Sequence, residues 1–175
     1  MTIFIVLAIV AALILGFAAS KPNSFRIERA ITIKAPASKI YAVVNDLKKG
    51  ELWSPWETID PDMNRTYSAN TVGVGATYSW DGDKNIGAGR QEILESLTNS
   101  KVKIKLDFFK PFKANNFAEF ILVPQGDSTH VTWAMYGPQP FMGKLMSVFI
   151  NCGNKFVGPQ FEKGLVSLKA ITEQP

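Results

Sequence analysis

Polar and apolar positions divide the chain into three kinds of stretch. The first, Ile3 to Ala19, is unbroken apolar and small residues without a charge. As a helix it spans ~25 Å, at the short end of what crosses a bilayer. The second is strand-like. Phe25, Ile27, Ile31 and Ile33 alternate with Arg26, Glu28, Thr32 and Lys34, which predicts a half-buried strand over Phe25–Ala35. Arg29 falls on the apolar face, where it must snorkel to the sheet's rim or pair with a carboxylate. Six more strands are predicted at Arg65–Ala69, Gly75–Trp80, Ile86–Leu97, Lys101–Phe109, Asn116–Val123 and Thr129–Tyr136. The turns between them carry Asn70 and Gly73, Asp81-Gly82-Asp83, Thr98-Asn99-Ser100, Lys110-Pro111 and Gln125-Gly126-Asp127. Connections this short require antiparallel pairing. The third stretch, Pro159 to Thr172, places Phe161, Leu165, Leu168 and Ile171 on one helical stripe and leaves Glu162, Lys163, Lys169 and Glu173 wet. Gly158-Pro159 starts it, with proline at the first helical position.

Shorter pieces fill the gaps. Ile40, Tyr41, Val43 and Val44 predict a short helix ending near Asn45-Asp46. Lys48 to Trp56 follows, with Leu52, Trp53 and Trp56 turned inward and Pro55 breaking any helix. Leu145, Met146, Phe149 and Ile150 predict a helix or lid over Phe141–Cys152 that runs into the last helix. The whole is an α+β chain with seven antiparallel strands in β-α-α-β6-α order.

The first run divides the chain at residues 1–21 and 22–175, an apolar appendage and one domain. A membrane anchor, a cleaved signal peptide and a buried helix are the three readings of that run. The anchor is preferred because no Lys or Arg precedes the run and it exceeds the ~7–15-residue core of a signal peptide. Lys21, Arg26 and Arg29 follow it, which leans the domain to the cytoplasmic side.

Composition narrows the function. With 46% hydrophobic and 19% charged residues the chain has a real core and is not disordered. A net charge of +4 is too diffuse for a nucleic-acid binder. One cysteine, Cys152, and one histidine, His130, exclude an internal disulfide, a cysteine-based metal cluster and a His-rich metal site. His130, beside Val131 and Trp133, points outward, as does Asp107. Glu92 and Glu95 cannot both face inward. The glycine pairs Gly73/Gly75 and Gly87/Gly89 open no helix, so neither cradles a phosphate. No cofactor or catalytic residue is expected, and an enzyme has little support. The sequence leaves oligomeric state open.

The ordered set Ile31-Thr-Ile-Lys-Ala-Pro36, Trp53-Ser-Pro-Trp56, Gly73-Val-Gly75-Ala-Thr-Tyr-Ser-Trp80, Gly87-Ala-Gly89 and Thr129-His-Val-Thr-Trp133, with Phe141-Met-Gly-Lys144 and Gly158-Pro-Gln-Phe-Glu-Lys-Gly-Leu165, resembles the SRPBCC superfamily. It looks most like the bacterial polyketide cyclase/dehydrase branch, here with a membrane anchor, over Phe25 to Thr172. The resemblance implies the helix-grip (START-like) fold, a curved seven-stranded sheet around a long C-terminal helix. That fold hosts carriers, receptors and cyclases, so it does not choose among them.

One helix cannot fill the concave side of such a sheet, so side chains or a ligand occupy the rest. Tyr78, Trp80, Phe108 and Trp133 are expected to face the helix and to line the ligand space together with its residues Phe161 and Leu165. Trp53, Trp56, Phe141 and Met142 are expected at the mouth, and Gln91 supplies a polar contact. Gly87 and Gly89 would widen the space or bend the sheet. The expected ligand is a small apolar molecule with one or two polar groups, such as a lipid, quinone or aromatic polyketide, bound at a membrane. The alternatives are a cyclase or dehydratase, which needs an acid/base group in the pocket, and a ligand-free interaction module. Lys101, Lys103 and Lys105 share one outer face, with Lys110 and Lys113 in the next turn. The stripe is either a solvated face that discourages edge pairing or a membrane-facing surface.

Overall fold

The computed structural model describes residues 2–149 and 153–174. Helix α1 (Thr2–Ser20) leads into β1 (Ser24–Ile33), and α2 (Ala37–Val44) is followed by two 3-10 turns, Leu47–Leu52 and Pro55–Thr58. Strands β2 (Asn64–Tyr67), β3 (Thr77–Asp81), β4 (Ala88–Leu97), β5 (Lys101–Lys110), β6 (Ala114–Gln125) and β7 (Ser128–Pro138) follow. The chain closes with α3 (Phe141–Phe149), a π-helical turn (Gly153–Val157) and α4 (Gly158–Thr172). The end of the expected lid, Ile150 to Cys152, lies outside the described residues.

All seven strands form one antiparallel sheet in the order β1-β7-β6-β5-β4-β3-β2. Each of β2 to β7 pairs with its neighbour in sequence, as short connections demand, and β1 pairs with β7 along its whole length. The curved sheet wraps α4, whose buried residues Phe161, Leu165, Leu168 and Thr172 recur at helical spacing. Ile171 packs half-buried against the core as expected, and Thr172 beside it is fully buried. Its hydroxyl is satisfied by the Leu168 carbonyl at 2.7 Å, so burial costs it nothing unpaired. Arg29 meets Glu162 of α4 at 2.6 Å, which explains a cation on the apolar face of β1. Gly158 leaves room for it, since a Cβ there would lie 2.2 Å from the guanidinium.

Strand β4 departs from strict alternation. Its pairing with β5 steps from Ile93↔Ile104 to Glu95↔Lys103, so Leu94 is an extra residue. The bulge puts Glu92 and Glu95 on the same face, opposite Lys105 and Lys103, although simple parity separates them. Both face outward. Beyond it Ser96 turns inward, hydrogen-bonded to Tyr41 at 2.5 Å and to Asn45 at 2.7 Å, which ties α2 to the sheet.

Helix α1 is long and apolar enough to cross a bilayer, and nearly all of its described side chains are exposed. A core helix would be enclosed by the domain; this one touches it through α3. Lys21 Nζ donates to the Ser147 carbonyl at 3.0 Å, and the buried Lys144 donates to Asn23 at 2.6 Å.

Candidate functional site

Between the 3-10 turns, α4 and the β3–β6 half of the sheet lies a partly enclosed cavity of about 350 Å³. This is within the ~300–1,000 Å³ range of small-molecule pockets. Trp53, Trp56, Tyr78, Trp80, Gln91, Phe108, Trp133 and Phe161 all line it. Three of the expected lining residues do not. Leu165 is fully buried, but it fills the core beneath α4. Phe141 and Met142 stand exposed on α3, because that helix packs against α1 and does not fold over the cavity. A larger groove of about 650 Å³ beside Leu52, Val166 and Lys163 is an open surface trough and encloses nothing.

The aromatics divide between two tasks. Trp133 stacks on Phe161 at 4.1 Å between centroids, and Trp53 and Trp56 meet Trp133 edge-on at 5.1 and 5.5 Å. Phe120 completes this cluster, stacked on Trp133 at 5.1 Å. These rings plug the interior against α4. Gly164 lets them approach, since a Cβ there would lie 2.7 Å from the Trp133 ring. The Trp53 indole N–H is buried without a partner among the described residues. A second group, Tyr67, Tyr78, Trp80 and Phe108, runs as a ladder along β2, β3 and β5 with neighbouring centroids 4.8–5.9 Å apart. Tyr78, Trp80 and Phe108 wall the cavity, and Tyr67 backs Tyr78 without lining it. Gly89 does not widen the space as expected. The Trp80 ring occupies the place of its missing side chain, 2.4 Å from where a Cβ would stand. Gly87 lies before the strand, in a turn at φ +67°, a conformation that favours glycine.

The polar residue that periodicity missed is Glu57. It follows Trp56 in the second 3-10 turn, which Pro55 starts. The turn swings Glu57 into the wall, where its side chain is only 10% exposed. Arg65 Nε donates to Oε2 at 2.8 Å, and the Tyr78 hydroxyl donates to Oε1 at 2.8 Å. Burial raises the Tyr78 pKa far above its usual value, and the bond to Glu57 raises it further. Tyr78 therefore stays a neutral phenol that donates its hydrogen bond to Glu57 and keeps its lone pairs for a donor. Tyr67 is raised in the same way, by burial and by its 2.7 Å bond to Glu51. Beside Tyr78, directly opposite it on β4, Gln91 has no side-chain partner among the described residues. No local pattern in the sequence marks Glu57; an acidic residue in a Pro-Trp-Glu-Thr turn reads as surface.

Other candidates fall outside the cavity. His130 faces outward beside Thr32, and Asp107 is held by Lys105 at 2.8 Å and Asn115 at 2.6 Å. The lysine stripe is locally compensated. Lys101 meets Glu95 at 3.0 Å, Lys110 meets Asp81 at 3.0 Å, and Lys103 lies over the Phe117 ring. Among the described residues no cluster of His, Cys, Asp and Glu could hold a metal ion.

A seven-stranded antiparallel sheet curved around a C-terminal helix decides the architecture. The fold is the helix-grip fold. No protein-family model and no curated relative matches the sequence. Solved structures do. A protein of Chromobacterium violaceum superposes with a TM-score of 0.59 at 15% identity, covering 89% of this chain and 100% of that one. The di-domain ARO/CYC StfQ from the steffimycin biosynthetic pathway gives 0.62 at 10% identity over 86% of this chain, which spans 51% of StfQ. The Aha1 dimer from Colwellia psychrerythraea gives 0.53 at 19% identity, over 85% and 96%. A helix-grip domain shared by polyketide cyclase-like and Aha1-like proteins fixes the architecture and leaves the chemistry to the cavity.

Proposed function

We propose that this protein binds a small, mostly apolar molecule in the cavity beneath α4, next to a membrane that α1 spans. One observation carries the reading: a partly enclosed space of about 350 Å³, walled by aromatic rings, has the buried carboxylate of Glu57 in its wall, held by Arg65 from behind the lining. Flat apolar surface favours a ring system or chain, through area burial and edge or face contact. Tyr78, Glu57 and Gln91 set the polar demand, which a hydroxyl or carbonyl on an otherwise apolar ligand meets. A quinone, an aromatic polyketide and a lipid with a short polar head all satisfy it.

The test is tryptophan fluorescence of the full chain in detergent, titrated with decylubiquinone, 2-naphthol and palmitate. Saturable quenching by at least one is expected. Ala118 lines the cavity from the middle of β6, so Ala118→Phe should abolish that quenching while leaving the thermal midpoint nearly unchanged. Absence of saturation with all three, or quenching that survives Ala118→Phe, overturns the reading.

A second reading, a cyclase or dehydratase, draws on Glu57 itself, a buried carboxylate of the kind such chemistry needs in the pocket. Both of its oxygens already accept bonds from Arg65 and Tyr78, which suits orientation of a polar ligand better than proton shuttling. Turnover of an aromatic polyketide-like substrate that Glu57→Gln abolishes would decide for the enzyme.

A further inference from the structure

One end of the sheet collects features that no single element explains. Strand β1 begins there and β7 ends there, paired Ser24↔Pro138; so do the tips of the β5–β6 and β3–β4 connections, through Phe108↔Ala114 and Asp81↔Ala88. Helix α1 enters at this end. The exposed members of the cavity lining, Ile59, Asn85, Lys110 and Pro111, are here too, so the cavity opens at the end where α1 is attached. Large apolar side chains stand in water at this end of the molecule. Phe112, at the tip of the β5–β6 hairpin, is 81% exposed, Met142 of α3 is 64% exposed, and Phe156 of the π-helical turn is 62% exposed. Lys113 and Lys155, beside Phe112 and Phe156, have no carboxylate partner among the described residues. At the opposite end the hairpin tips are Thr98-Asn99-Ser100 and Gln125-Gly126-Asp127, and the exposed apolar side chains are aliphatic, such as Val72 and Val74.

We propose that this end is a bilayer-docking face, with the cavity mouth pressed against the lipid surface. Three residues, Lys21 to Asn23, separate α1 from β1. Fully extended they reach only ~10 Å. The bonds from Lys21 to Ser147 and from Lys144 to Asn23 hold that junction to α3. A membrane crossed by α1 therefore lies within reach of Phe112, Met142 and Phe156, which enter the headgroup layer. The two unpaired lysines stand at the phosphates of anionic lipid. An apolar ligand then passes between bilayer and cavity without crossing water. The proposal rests on α1 spanning the membrane, and it replaces the compensated outer stripe of β5 as the lipid contact.

The experiment uses the full chain with Cys152→Ser, carrying one added cysteine labelled with bimane, in nanodiscs of phosphatidylethanolamine and phosphatidylglycerol with doxyl-labelled lipid. Leu13→Cys reports on α1, Phe112→Cys on the docking face, and Asp127→Cys on the far end. Loss of fluorescence at positions 13 and 112 but not 127 is the expected result. Quenching at 13 with position 112 as bright as 127 overturns the docking face and leaves α1 as a span. A bright label at position 13 removes the membrane reading and the proposal with it. Met142→Cys is the reporter if Phe112→Cys does not fold. Nanodisc pull-down of a protein that covers a bright position 112 would assign the rim to a protein partner instead.

Discussion

At the scale of single residues, the cavity is shaped as much by what is missing as by what is present. Among the described residues, Gly89 and Gly164 are the two positions where an aromatic ring lies in the space of an absent side chain. Trp80 fills the first and Trp133 the second. At Gly89 a Cβ would also lie 2.6 Å from the Asp107 carbonyl oxygen, so neither the ring nor the backbone can yield easily. Gly89→Ala is therefore expected to destabilise the fold by about 1–3 kcal/mol. It should also displace Trp80 into the cavity. Chemical denaturation followed by tryptophan emission measures both; an unchanged midpoint with unchanged emission would show that Trp80 does not depend on this glycine. Glu57 teaches a complementary lesson. Its neighbours in sequence are Trp56 and Thr58, and only the fold brings Arg65 and Tyr78 to it.

At the scale of elements, the β3–β4 turn is the part of the cavity mouth that responds to acid. Asp83 accepts from the Asn85 and Ile86 backbone N–H groups at 2.8 and 3.3 Å, and from the Asn85 side chain at 2.7 Å. These bonds, the Asn85 backbone first, lower its pKa below the ordinary 3.8 of an aspartate. A depressed folded-state pKa means the turn is held at neutral pH and released as pH falls through that lowered value. Amide protection at Asn85 and Ile86, taken relative to the intrinsic exchange rate at each pH, should hold at neutral pH and fall only below about pH 4. In Asp83→Asn the acid-dependent step should vanish. A step at the same pH in both proteins would locate the titrating group elsewhere. The turn lines the mouth, so ligand exchange should accelerate over the same range.

For the whole molecule, the proposed membrane span of α1 has a direct test in fractionation. Alkaline carbonate extraction should leave the full chain in the membrane pellet. A chain lacking residues 2–21 should appear in the supernatant. Release of the full chain by carbonate would mean that α1 does not span a bilayer. Its exposed face would then need a protein partner. Retention of the shortened chain in the pellet would mean that the docking face holds the membrane without α1.

Alternation and helical spacing carried the secondary structure to within a few residues, because each strand has one wet face and one dry face and α4 has one stripe. The order of those elements was enough for the helix-grip architecture. Short connections left antiparallel pairing as the sole way to join them. Five of the residues that line the cavity, Tyr78, Trp80, Gln91, Phe108 and Trp133, were also legible, since parity along a strand fixes which side a residue faces. Three things were not. The bulge at Leu94 reverses parity, and no residue type announces it. Phe141 and Met142 turn away because α3 has α1 to pack on, a contact between segments more than a hundred residues apart. Glu57 enters the cavity because a 3-10 turn, a neighbouring strand and a phenol converge there. Local periodicity encodes which face of an element is dry. How much of the dry space stays empty, and which charge is drawn into it, depends on side chains distant in sequence meeting in three dimensions.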